Sequence, residues 1–171
     1  LNIRIGNPAL KQEFNHNMSV SYNTFNIQTF KFVAANLRFN TTQNKIVNRI
    51  TYSGPVQIIR PENVNGYFSG SSFITLGLPF KTPKLKGSSL NFSNNLSFTR
   101  DVSLINTLKN IGKTFTASQG AGINFNKEKF DLGIRLNLTY TNIAYSVNTN
   151  LDENYFTQTY STDFSYTFPK D

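Results

Sequence analysis

The side chains able to do acid–base, nucleophilic or metal chemistry are few in this chain, and they are scattered. Its 171 residues include no cysteine, one histidine and nine carboxylates, against 17 lysines and arginines. Without cysteine, neither a disulfide framework nor a thiolate metal site can form. His16 has no second histidine to complete a ligand set, so no metal is expected and it reads as a side chain near the rim of its strand. A glycine-rich phosphate loop, a zinc signature and a nucleophile elbow are all missing from the sequence. Asn40-Thr41-Thr42, Asn91-Phe92-Ser93, Asn95-Leu96-Ser97 and Asn137-Leu138-Thr139 fit the N-glycosylation pattern. Alternation with small polar residues generates that spacing automatically, so it carries no weight.

Two carboxylates on one polar face can divide acid and base roles when they lie about 5–9.5 Å apart. Asp131 and Asp163 are the candidates, and they are expected to stand too far apart for that. Asp163 is expected instead to face Arg135 from a neighbouring strand and to form an ion pair bracing a wall. Neither an enzymatic activity nor a cofactor is expected.

The element that must position these groups is a strand. From Phe130 to Tyr145, Phe130, Leu132, Ile134, Leu136, Leu138 and Tyr140 alternate with Asp131, Gly133, Arg135, Asn137, Thr139 and Thr141. A side-chain period of two gives one apolar and one polar face. The run exceeds the globular strand of about five or six residues and fits the 9–11 or so tilted residues of a transmembrane strand.

Composition agrees. Charged residues are 15 % and aromatics 14 %, from 16 Phe and 8 Tyr, which is the reverse of a disordered chain and favours strands over helices. No apolar run approaches about 18 residues, so no transmembrane helix is expected. The net charge of +8 is spread at one or two basic residues per strand, not gathered with aromatics into a stripe. Nucleic acid is therefore not expected as a partner.

Along the chain, Leu1 to Gln12 reads as a loop. Phe14 to Tyr22 alternates, and a link at Thr24–Gln28 follows. Val33 to Tyr52 reads as one long strand despite the polar stretch Thr41–Lys45, whose alternative is a turn. Gly66–Phe80 and Leu90–Thr99 alternate around a turn at Lys81–Gly87. A long connection, Asp101–Gly112, leads to Phe115–Phe125. A hairpin turn at Lys127-Glu128 would set Phe125 opposite Phe130 and Gly120 opposite Arg135. A loop at Asn148–Glu153 precedes Tyr160–Phe168. Asn94 and Gln119 fall on the apolar face, and the pattern gives no reason for either. With short turns on one side and longer loops on the other, the fold class expected is all-β. It is an antiparallel up-and-down transmembrane β-barrel segment of roughly seven or eight long strands from a larger barrel.

Gly6-Asn7-Pro8-Ala9-Leu10-Lys11-Gln12-Glu13, followed at once by a strand, resembles the Gly-Asn-Pro-x-Leu-Lys-Pro-Glu segment of TonB-dependent receptors, with Gln12 in place of Pro. Asn63-Val64-Asn65-Gly66 is similar to the Asn-Val-x-Gly element that opens a later descending strand in those barrels. The resemblance implies that both motifs are extracellular, in a barrel of about 22 strands with a plug domain and TonB as partners. Residues 1–171 would then be part of the barrel domain alone, because no plug or TonB-contacting segment is read in them.

The expected function is thus a wall segment of an outer-membrane transporter for a large nutrient of the glycan, peptide or siderophore class, with ligand contacts from 54–65, 102–112 and 146–153. Arg38, Asn91, Asn95, Asn124, Asp131, Arg135, Asn137 and Asp163 would face the lumen. Leu132, Ile134, Leu136, Leu138, Tyr140, Phe164 and Phe168 would face outer-membrane lipid. Lys81, Lys84, Lys86, Lys127, Lys129 and Lys170 would gather at the periplasmic end, either simply solvated or attracted to anionic head groups. The alternatives are a small outer-membrane pore or anchor barrel and a soluble β-sandwich adhesin.

Overall fold

The computed structural model describes residues 1–82, 85–106, 108–127, 129–147 and 149–168. The alternation along the chain becomes strands almost throughout: β1 (Asn2–Arg4), β2 (Phe14–Asn26), β3 (Lys31–Gln43), β4 (Lys45–Ser53), β5 (Val56–Val64), β6 (Tyr67–Pro79), β7 (Ser89–Ile105), β8 (Leu108–Lys127), β9 (Phe130–Tyr145) and β10 (Glu153–Tyr166). All ten lie in one mixed sheet. The long strands β2, β3, β6, β7, β8, β9 and β10 stand side by side in that order, each antiparallel to its neighbour. Closure is absent among the described residues: β2 and β10 each pair on one side only.

The sheet is mixed because of its outer end, the end at which β3 finishes. Asn44, with a φ of 53°, interrupts an otherwise continuous rise from β3 into β4. β4 then leaves β3's partners, pairing antiparallel with β5 and, at Arg49 and Ile50, parallel with Leu104 and Ile105 of β7. The long strand expected through residues 41–45 therefore keeps its direction but changes neighbours at Asn44.

Several expected connections turn out to be strand. Residues 54–65 are not a loop, because Ile50, Thr51 and Tyr52 find partners in Ile59, Ile58 and Gln57 across a turn at Gly54-Pro55. In the long connection expected at 101–112, residues 101–105 and 108–112 pair instead as a hairpin stem, with Val102 opposite Ile111 and Leu104 opposite Lys109. Leu1–Gln12 contributes β1, parallel to β5. The first turn is at residues 27–30, later than Thr24–Gln28, where the Asn26 Oδ1 accepts the Thr29 N–H at 2.9 Å and Phe30 has a φ of 53°.

The β8–β9 hairpin is a two-residue slip from the expected register. Lys127 stands opposite Phe130, Phe125 opposite Leu132 and Gly122 opposite Arg135. A slip of two leaves every side chain on its expected face, so alternation fits both registers equally. Glu128 of the expected turn lies outside the described residues, as do Lys84 and Lys170.

The sheet is a single layer. Val64 and Val102, both near the outer end, are its buried apolar side chains among the described residues. Large apolar residues stay open along the strands, as with Val20 at 53 % and Phe164 at 65 %.

Candidate functional site: the two faces and the outer end of the sheet

The cross-strand register decides which residues share a face. Arg38 stands in one row with Ser71, Ser97, Thr116 and Thr141, and Asn95 with Phe73, Ser118 and Thr139. Asn91, Asn124, Asp131, Arg135, Asn137 and Asp163 continue this parity on β7 to β10. All eight expected lumen-facing residues thus lie on one face, a field of Asn, Ser, Thr and Gly. Its side chains bond across strands: the Asn36 amide donates to Ser21 Oγ at 2.7 Å, and the Ser118 and Thr139 hydroxyls are paired. A groove of about 550 Å³ runs over it past Arg38, Asn36, Phe73, Asn95 and Ser118.

Arg135 and Asp163 meet as expected, Nη1 to Oδ2 at 2.7 Å. They are not directly opposite. Arg135 faces Ser161 and Asp163 faces Gly133, so the pair is diagonal, and the bare Gly133 leaves room for it. Both side chains are more than half exposed, at 57 % and 64 %, which holds the pair to about 0–1 kcal/mol in water. Asp131 is nearer to Asp163 than expected: it faces Ser165, one diagonal step along β10, and both line the same groove with Arg135. Three charges therefore share this corner, with the guanidinium seated on Asp163.

The other face is apolar. On β9 it carries Leu132, Ile134, Leu136, Leu138 and Tyr140, with Phe164 opposite Leu132. Phe168 lies just beyond β10, edge-on to Tyr166 at 5.0 Å between ring centroids. On β8 the same parity reads Lys113, Phe115, Ala117, Gln119, Ala121, Ile123, Phe125, Lys127, an uncharged run closed at both ends by lysine. Phe39, Phe68 and Phe98 continue an aromatic row at its outer margin, with centroids 6.3 and 5.5 Å apart. Phe80 stacked on Phe125 and Phe130 edge-on to Phe164 mark the inner margin. His16 lies opposite Thr41 on this parity, near the outer margin.

Two departures from the alternation acquire neighbours only through the register. Asn94 and Gln119, each unexplained alone, are direct cross-strand partners, so the apolar face carries one joined polar spot. Phe73 is a large apolar side chain on the polar face, between Asn36 and Asn95.

At the outer end the two motif segments come together. The Lys11 N–H donates to Asn63 Oδ1 at 2.7 Å, and Asn63 Nδ2 donates to the Lys11 carbonyl at 3.0 Å and the Asn44 carbonyl at 2.6 Å. Asn7 Nδ2 donates to the Pro61 carbonyl at 2.9 Å, and Glu13 Oε2 accepts the Ile46 N–H at 3.1 Å. Asn65 Oδ1 accepts the Asn44 N–H at 2.7 Å, capping the left-handed residue between β3 and β4. Two cations here are engaged by carboxylates: Lys45 with Asp101 at 2.6 Å and over the Tyr67 ring, Arg49 with Glu62 at 2.7 Å.

The chain matches no protein-family model, no curated protein and no solved structure.

Proposed function

We propose that this sheet is a wall segment of an outer-membrane β-barrel of the TonB-dependent receptor kind, passing a large nutrient along its polar face. The observation that carries the reading is the uncharged band on the apolar face. Phe115 and Phe125 are ten positions apart on one continuous strand, about 33 Å at the rise of a β-strand. A tilt of about 35–45° turns that into roughly 23–27 Å, which matches the apolar height of a transmembrane barrel. Lysines close the band on β8 at both ends, and phenylalanines line its margins.

A single layer that leaves Tyr160 71 % exposed is costly in water and ordinary in lipid. In hydrocarbon, the unpaired ladders of β2 and β10 need further strands, so the reading requires barrel strands on both sides of this sheet. The small closed pore is less favoured, because the two edges do not meet. The soluble sandwich is less favoured because it needs a second packed layer. In this reading outer-membrane lipid is the partner of the apolar face. The plug and TonB follow from the resemblance of the two motifs, which meet through Asn63. The function is transport, without bond-making chemistry.

The absence of native cysteine allows a direct test. Single cysteines at residues 131–140, reconstituted in lipid, should alternate between aqueous labelling at odd positions and lipid-phase quenching at even ones. Uniform aqueous labelling would sink the reading.

A further inference from the structure

We infer that the inner end of the sheet, where β2 leads into β3, β6 into β7 and β8 into β9, docks on the head groups of an anionic phospholipid leaflet. The inference rests on the membrane reading above and adds the chemistry of the lipid surface at this end.

The two ends of the sheet differ in how their cations are engaged. At the outer end Lys45 and Arg49 have carboxylate partners and Arg100 and Lys109 donate to the carbonyls of Gly66 and Asn65, while Arg4, Lys11 and Lys113 are exposed without a side-chain partner among the described residues. At the inner end Lys31, Lys81, Lys86, Lys127 and Lys129 are all exposed. Their ammonium groups have no hydrogen-bond or ion-pair partner among the described residues. Asp131 is the described carboxylate nearest to this end, and its parity is that of the polar face.

Placement is the second point. Lys127 continues the apolar parity of β8 directly below Phe125, and Lys31 continues that of β3 below Val33. Both therefore leave the band on the side that faces lipid, where a lysine can keep its methylenes against apolar surface and extend its ammonium into the head groups. Lys81, Lys86 and Lys129 lie in the turns next to them. Together they form a row of point charges across β3 to β9, each able to donate three hydrogen bonds to phosphate oxygens. Neutral zwitterionic head groups offer the phosphate but cancel the attraction. An anionic glycerophospholipid offers both.

The test uses the whole chain with vesicles of phosphatidylcholine alone or mixed with phosphatidylglycerol, read by co-sedimentation and by acquired protease protection. Each lysine near the surface should contribute about a five-fold gain in partitioning onto the anionic vesicles. The variant carrying Lys31→Gln, Lys81→Gln, Lys86→Gln, Lys127→Gln and Lys129→Gln should lose about three orders of magnitude of that preference. The same five positions changed to Arg should keep it, which controls for folding. Outer-end substitutions Lys11→Gln, Lys109→Gln and Lys113→Gln should leave it intact. Raising salt, which shortens screening from about 8 to about 3 Å, should mimic the inner-end variant. Equal partitioning of the unaltered chain onto both vesicle types overturns the inference, as does retention of the preference by the Gln variant. Failure to gain protease protection in either vesicle instead counts against the wall reading, and co-sedimentation still reports the lysine-dependent attraction separately.

Discussion

Asn63 stands in for a missing strand beside Lys11: its carboxamide accepts the Lys11 N–H at 2.7 Å and returns an N–H to the Lys11 carbonyl at 3.0 Å. One side chain thereby satisfies both backbone groups of a segment that has no ladder of its own, and its second donor reaches the Asn44 carbonyl. Asn63→Ala should cost about 1–2 kcal/mol by leaving these groups unpaired. Asn63→Asp keeps the acceptor for the Lys11 N–H but sets a carboxylate oxygen against the Lys11 and Asn44 carbonyls, so it should cost at least as much. Amide exchange at Lys11 is the readout, and unchanged protection in the Ala variant refutes the role.

Arg135 and Asp163 form a pair of known geometry on a solvent-open face. Each single Ala variant should destabilise by less than about 1 kcal/mol, and the exchange Arg135→Asp with Asp163→Arg should recover most of what either reversal loses. Simple addition of the two reversal defects in a denaturation cycle would show that the charges do not interact.

Leu136 and Asn137 are neighbours in sequence on opposite faces near the middle of the band. In lipid, Leu136→Arg should cost about 2–4 kcal/mol, while Asn137→Arg should be close to neutral. Equal sensitivity at the two positions, measured by refolding into bilayers, contradicts the assignment of the faces.

Asn94 and Gln119 set two amides side by side on the apolar face. Replacing both with Leu should raise stability in lipid, since polar groups leave hydrocarbon. A loss of stability would mean that the spot has a partner, and a shift in oligomeric state on native gels would identify that partner as another protein chain.

Gly77 lies beneath the Phe32 ring, which occupies the space a Cβ would need. Gly77→Ala should destabilise by about 1–3 kcal/mol through overpacking, and adding Phe32→Ala should relieve part of that cost. Thermal unfolding of the two variants decides it.

The chain reads in sequence as far as its faces. Phe130 to Tyr140 sort correctly between an apolar and a polar side, and Arg135 and Asp163 fall on the same side, because an extended backbone turns each side chain by half a revolution whatever lies beside it. Composition likewise favours strands over helices, since abundant Phe, Tyr, Thr and Ser suit a pleated surface. What the sequence alone cannot hold is the neighbour. The β8–β9 slip of two, the diagonal placement of Arg135 and Asp163, and the meeting of Asn94 with Gln119 all preserve alternation, so no local pattern tells them apart from their alternatives. The same holds for the stem of 101–105 with 108–112 and for β5 at 56–64: mixed polar segments become strands there because a partner strand satisfies their backbone groups. Local stereochemistry determined which face each residue takes. Tertiary hydrogen bonding decided which residues stand together, since only the paired ladder sets the register.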